Sequence, residues 1–191
     1  MLTKGCRKYM LEDSIIQHCA PTLAGIKTGN AFSIHNIKTG ITEEIRSINR
    51  VLTKKGLRLV PIKETRDYTL IYLYRPARLK KDLSSPEAIS ILSKKGYKCD
   101  TTEHCVAQLI KHLREDSEFP HEIGLFLGYP PYDVKCFMNN PCKGVKCIGC
   151  WKAYSNQEEA SRIFTKFNKC TDVYKREASK GKTLEELTVV E

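Results

Sequence analysis

No apolar run in this 191-residue chain approaches the about 18 residues that cross a bilayer as a helix; the longest, IGLFLGY at 123–129, is far too short, so no membrane association is expected. A secretory signal core is also missing. Lys4, Arg7 and Lys8 lead into MLEDSIIQHCAP, whose Glu12 and Asp13 interrupt a short apolar stretch, which points to a cytoplasmic protein. Neither G-x-G-x-x-G nor G-x-S-x-G occurs, and GKT at 181–183 has Arg176 where a phosphate loop needs glycine, so dinucleotide enzymes, P-loop NTPases and α/β-hydrolases are disfavoured. His121-Glu122 is followed by Leu125 instead of the second histidine of H-E-x-x-H, which removes the zinc-protease reading. Internal repeats and Gly/Ser/Pro-rich linkers are absent too. Residues 1–191 are therefore read as one domain, long enough to bury about 70% of its unfolded surface.

Cysteine is the residue in excess. Nine cysteines are an odd number for a disulfide framework, and in a reducing compartment they are metal ligands, catalytic groups or buried thiols. Cys136, Cys142, Cys147 and Cys150 lie in one short Cys-rich segment at 136–150. The C-x-x-C pair at its end is half of a typical zinc or iron-sulfur site, while the wider spacing of the first pair is less typical. A redox pair or four free thiols are the alternatives. Charge is also uneven. The net charge is +10, and residues 46–98 carry 14 Lys and Arg against 4 Asp and Glu. Arg46, Arg50 and Lys54, spaced by four, form a basic ridge on one helical face, which fits either contacts to nucleic-acid phosphates or a solvated surface.

Periodicity outlines the elements. Residues 11–18 suit a short helix broken by Pro21. ITEEIRSINRVLTKKG suits a helix capped by Thr42, with Ile45, Ile48 and Leu52 inward and Gly56 as its stop. LRLVPIK and DYTLIYLYR read as a hairpin, with Pro61 demanding an edge or a bulge. One helix is capped by Ser85 with Pro86 at its first position, and a second starts at Thr101 or Thr102. EIGLFLG is ambiguous between a buried strand and a loop, Pro131 opens a helix, and WKAY reads as a strand. Ser155 with Glu158, and Thr183 with Glu186, match the capping-box pattern. The sum is an α+β fold: a small mixed sheet containing an antiparallel hairpin, packed with about six helices.

The segments HCAPTLAGIKTGNAFSI, LYRPARL, FPHEIGLFLGYPPYDV, CWKAY and KREASKGKTLEEL, taken in this order, resemble a bacterial family known only as domain of unknown function 3793. The resemblance covers residues 11–189 and places His18, Cys19, Pro21, Lys27, Arg75, Pro76, His121, Glu122, Gly128, Tyr129, Pro130 and Trp151 at motif positions, but not Cys136 or Cys142. It implies no activity, substrate or cofactor.

From the residues themselves, the best reading is a small enzyme or ligand-binding domain for an anionic or polar small molecule. Its cleft would be assembled from HCAPTLAGIK, YRP and HEIGLFLGYP. Lys27 and Arg75 are the anion contacts, His18 and Tyr129 line the ligand, and Cys19 is the reactive thiol, activated by a neighbouring base or cation. His121 serves as acid or base with Glu122 orienting it. The alternatives are a packed inert Cys19, a purely structural His121-Glu122 turn, a nucleic-acid-binding protein using the basic region, and a metal-binding interaction module using the later cysteines.

Overall fold

A computed structural model describes residues 4–35, 41–115 and 118–190, with side chains from Leu11 onward. These residues form two compact units. One comprises the chain to Pro76 together with Lys169–Glu191, and the other comprises Ala77–Asn168.

The first unit is a three-stranded antiparallel sheet covered by helices. Helix α1 (Lys4–Leu23) and strand β1 (Gly29–His35) are followed by α2 (Ile41–Leu52), a 3₁₀ turn (Thr53–Lys55), and the hairpin of β2 (Arg58–Glu64) and β3 (Tyr68–Tyr74). The strand order β1-β3-β2 makes β3 central, which explains why it is apolar on both faces, with Ile71, Tyr72, Leu73 and Tyr74 all buried. Pro61 sits on the edge strand at the register shift between Pro61 and Lys63, where its missing N–H costs no ladder bond. Thr65 closes the hairpin turn: its Oγ1 accepts from the Tyr68 amide at 3.1 Å. Every strand pair is antiparallel, so the α+β class holds while the sheet is not mixed.

The core follows helical spacing. Leu11, Ile15, Cys19 and Leu23 of α1, and Ile41, Ile45, Ile48 and Leu52 of α2, join Phe32, Ile34, Leu59, Ile71 and Leu73 of the sheet. Asn49 fastens α2 to the edge strand by receiving the Leu59 amide at 2.9 Å and donating to the Leu59 carbonyl at 2.7 Å. Gly56, at φ 80°, ends the 3₁₀ turn in the left-handed conformation. Two expectations need correction, and one strand was not expected. The first helix runs through Pro21, because proline in the last turn forfeits only one internal bond. Thr42 lies inside α2, which already begins at Ile41. Strand β1 has no clear alternation in sequence and is organised by pairing with β3.

The second unit is mostly helical: α3 (Pro76–Leu83), α4 (Pro86–Lys94), α5 (Thr102–Glu115), α6 (Ile123–Phe126) and α7 (Pro131–Asn139), then the two-residue strands β4 (Cys147–Ile148) and β5 (Lys152–Ala153). Ser85 caps α4 by accepting the Ala88 amide at 3.3 Å, and Pro86 and Pro131 open their helices. EIGLFLG is neither strand nor loop. It forms the single turn of α6, a choice between buried helix and strand that apolar content alone does not make. A disulfide joins Cys99 to Cys105, a pairing not expected in a chain read as reduced.

The long α8 (Gln157–Ser179) begins in this second unit and ends in the first, followed by α9 (Leu184–Leu187). Thr183 and Glu186 make the expected capping box. Ser155 does not cap α8; Asn156 does, accepting the Glu159 amide at 3.1 Å, while the Ser155 amide donates to Asp133. Among the described residues, no helix is long and apolar enough to cross a membrane.

Candidate functional site

The residues nominated from the sequence fall into both units. In the first, Arg75 follows β3 and is 1% exposed. Its Nε donates to the Thr22 carbonyl at 2.8 Å, and its Nη2 donates to the Leu23 and Val189 carbonyls at 2.9 and 2.7 Å. Lys27 is also buried; its ammonium donates to the Gly29 carbonyl at 2.8 Å and to the Asn30 side chain. Both cations thus spend donors on the backbone ends around β1 and β3, which is what a buried charge requires. His18 stacks on Phe32 with ring centroids 5.6 Å apart, and partial burial, followed by the Lys175 charge, holds it below the ordinary histidine value.

Cys19 is completely buried in the core. Burial pushes its thiol well above the ordinary range, outweighing the opposing influence of Lys27. A nucleophile needs the opposite shift. Iodoacetamide applied to the native protein is therefore expected to modify the exposed Cys142 and Cys150 and leave Cys19 unmodified, as read by peptide mass mapping. Alkylation of Cys19 at the rate of Cys142 without denaturant would restore the reactive-thiol reading.

In the second unit, His121 and Glu122 part company. Glu122 is 2% exposed and receives the Tyr97 hydroxyl on Oε1 at 3.0 Å, while its Oε2 has no protein partner. His121 is exposed and meets Phe137 edge-on at 5.1 Å and Phe119 at 6.0 Å. Adjacent positions on the turn before α6 aim in different directions, so Glu122 does not orient the imidazole.

His121 instead stands at a cleft of about 220 Å³ within this unit, lined chiefly by Phe119, Ile123, Leu127, Tyr129, Phe137 and Trp151, with Lys152 also on its wall. Asp133 builds the wall from α7. Buried at 2% exposure, it accepts the Trp151 indole N–H at 2.8 Å and the Tyr154 and Ser155 amides at 3.0 Å each. This fixes the indole against Tyr129, whose ring stacks on it at 5.1 Å. The Tyr129 hydroxyl donates to the Cys150 carbonyl at 2.9 Å. Burial, with a smaller contribution from Cys150, pushes its pKa up to about 12, so the phenol remains a neutral donor at physiological pH.

Close approach explains Gly124 in the cleft wall. A Cβ there would lie 2.8 Å from Val134 Cγ2 and 3.2 Å from Tyr129 Cδ2. The other polar residues of its lining are His121, which is exposed, and Lys152, which is half-buried. The Lys152 ammonium lies 5.7 Å over the Phe137 ring and donates one hydrogen bond to the Pro141 carbonyl, at 3.0 Å. Sequence reasoning found His121 and Tyr129 but not Asp133, Phe137 or Lys152 as wall-builders. The single tryptophan four residues after a cysteine knuckle begins was the available signal for this region.

The later cysteines do not gather. Cys147 faces Ser161 at 3.5 Å, Cys142 and Cys150 are exposed, and Cys136 is half-buried. Among the described residues, no group of three or more His, Cys, Asp or Glu side chains has the geometry to hold a metal, so the expected zinc or iron-sulfur ligand set is not formed there. Arg46, Arg50 and Lys54 are exposed along α2 and the following turn. Tyr72 and Tyr74 of the neighbouring sheet are buried and stacked on each other at 4.7 Å, leaving that ridge without these rings as a base-stacking platform.

A family model described as a protein of unknown function, DUF3793, matches residues 15–188. No curated protein and no solved structure matches the chain.

Proposed function

The chain belongs to the DUF3793 family, whose description carries no activity, and from the geometry of the aromatic cleft we propose that it binds a small, flat apolar molecule bearing an anionic group. The observation that carries this reading is the division of labour in the cleft. Its internal polar groups, Asp133, the Trp151 indole and the Tyr129 hydroxyl, satisfy one another or the backbone, whereas the lining also includes the exposed His121 and the half-buried Lys152. Such a site rewards an apolar body by burial and aromatic contact, and selects its head group by charge. Lys152 makes a cationic ligand unfavourable, although aromatic walls alone would accept one. The cavity is below the about 300–1,000 Å³ usual for drug-sized ligands, so one or two fused rings suit it.

Binding has stronger support than catalysis. His121 has aromatic neighbours but, among the described residues, no carboxylate bonded to it to set its tautomer, and Cys19 is a packed thiol of the other unit. The proposal keeps the anionic small molecule expected from the sequence and assigns its contacts to His121 and Lys152 in place of Lys27 and Arg75. Trp151, the sole tryptophan, supplies the test. Naphthalene-2-carboxylate should change its emission in a saturable manner, and 2-naphthylmethylammonium should bind much more weakly. Equal response to the two probes, or no response to either, would reject the reading.

A further inference from the structure

A second concavity of the helical unit differs from the aromatic cleft in both shape and charge. It is a groove of about 540 Å³ between α4 and α7. One wall presents Ile91, Lys94 and Lys95 from α4, and the other presents Tyr132, Lys135 and Met138 from α7. The spacing is helical on both sides: 91 and 94 or 95 share a face of α4, and 132, 135 and 138 share a face of α7. The trough between two contacting helices is a form into which a third helix packs.

The rim carries charge without compensation. Lys94, Lys95 and Lys135 are exposed, and none has an acidic partner among the described residues. Among the described residues, Glu87 is the acidic side chain on the groove's lining. Tyr132 is 58% exposed, so its ring is open to a partner. An exposed aromatic beside unpaired lysines resembles an interface anchor with a charged rim.

We infer that the α4/α7 groove docks an acidic amphipathic helix of a partner protein. Apolar residues of that helix would rest on Ile91, Tyr132 and Met138, and its flanking carboxylates would meet Lys94, Lys95 and Lys135. Each groove helix has nine residues, a length of about 13 Å at 1.5 Å per residue, and this accommodates about nine residues of the docked helix. Nucleic acid is the less suited polyanion. A phosphate backbone would engage the three lysines and leave Tyr132 and Met138 unused, whereas an amphipathic helix engages both sets.

The test is fluorescence anisotropy on the full chain with three labelled probes. One is a 12-residue helical peptide with leucine at i, i+3, i+4 and i+7 and glutamate elsewhere, the second has lysine in place of glutamate, and the third is a 12-nucleotide single-stranded DNA. The glutamate peptide is expected to bind and the other two to bind far more weakly. Joint Lys94→Glu, Lys95→Glu and Lys135→Glu substitution should weaken the glutamate peptide at least about tenfold, as the combined loss of three rim ion pairs.

The milder triple change to glutamine should act in the same direction. Circular dichroism should remain unchanged, since all three side chains are exposed. Reversal of Arg46, Arg50 and Lys54 should leave the affinity as it was, which separates groove binding from general attraction to a basic protein. The inference is overturned by no binding of the glutamate peptide at about 1 mM, by equal loss on reversing the α2 ridge, by indifference to the groove lysines, or by preferential binding of DNA through those lysines.

Discussion

Arg75→Ala is expected to destabilise the unit formed around the three-stranded sheet by about 3–5 kcal/mol. The guanidinium is buried and donates to four main-chain carbonyls, those of Thr22, Leu23 and Val189 and, at 3.5 Å, that of Lys55. Charge-assisted hydrogen bonds of this kind contribute more than neutral ones, and deleting the donor leaves acceptors in a void that water does not readily fill. Two of those acceptors retain a second donor. The Thr22 carbonyl also receives the Gly25 amide and the Leu23 carbonyl the Val189 amide, which is why the effects of the four bonds do not simply add.

Arg75→Lys should recover little, because an ammonium at that reach does not reproduce a fork directed at carbonyls on three segments. Urea denaturation followed by circular dichroism measures the change. A loss under about 1 kcal/mol for alanine, or full rescue by lysine, would show that the guanidinium is not the link holding α1 and the C-terminal segment to β3.

Gly149→Ala should have an effect of similar size in the other unit. A Cβ at this position would lie 2.2 Å from Phe164 Cδ2, with two more ring carbons at 2.5 and 2.6 Å, well inside contact distance. Phe164 is 8% exposed and packs with Ala153 and Ala160. Its ring also meets Trp151 edge-on at 4.5 Å. Alanine therefore either expels Phe164 from its small core or moves the β4–β5 turn. Overpacking at such a site costs about 1–3 kcal/mol, and displacement of the phenyl ring adds lost burial, so a total near 3 kcal/mol is expected. The Trp151 wall should shift with Phe164, giving altered indole emission even where the variant remains folded. Unchanged stability together with unchanged emission would contradict this account of the turn.

Gly149 also clarifies why the Cys147-x-x-Cys150 segment was persuasive in sequence. A tight turn between two cysteines is what a metal knuckle needs, yet this glycine is required by the phenyl ring beneath the turn. The sequence reveals spacing, whereas the identity of the packed neighbour comes only from the fold. The same limit applies to Arg75 and Lys27: a basic residue next to YRP or in AGIK looks available for an anion until the carbonyls it contacts are known. His121 and Glu122 show it at the shortest range, since neighbouring residues in one turn reach a solvent-facing cleft and a buried tyrosine, respectively.

What was legible rested on local physics. Pro61 marked the edge strand, Ser85-Pro86 and Thr183 marked helix starts, and the apolar spacing of α2 identified its buried face. Each depends on residues close in sequence. Strand β1 and the one-turn α6 were not legible because pairing with β3 and burial beside α7 determine them. The aromatic cleft was partly visible in FPHEIGLFLGYPPYDV, but its Trp151 and Lys152 side arrives from β5 and is held there by Asp133.

The central claim, that the cleft accepts an apolar anion, is tested most directly by titrating Trp151 emission with naphthalene-2-carboxylate in wild-type protein and in Lys152→Ala. Saturable quenching is predicted for the wild type, with about tenfold weaker affinity in the variant from loss of the charged contact. Identical titrations of the two proteins, or an emission that does not respond at all, would contradict it.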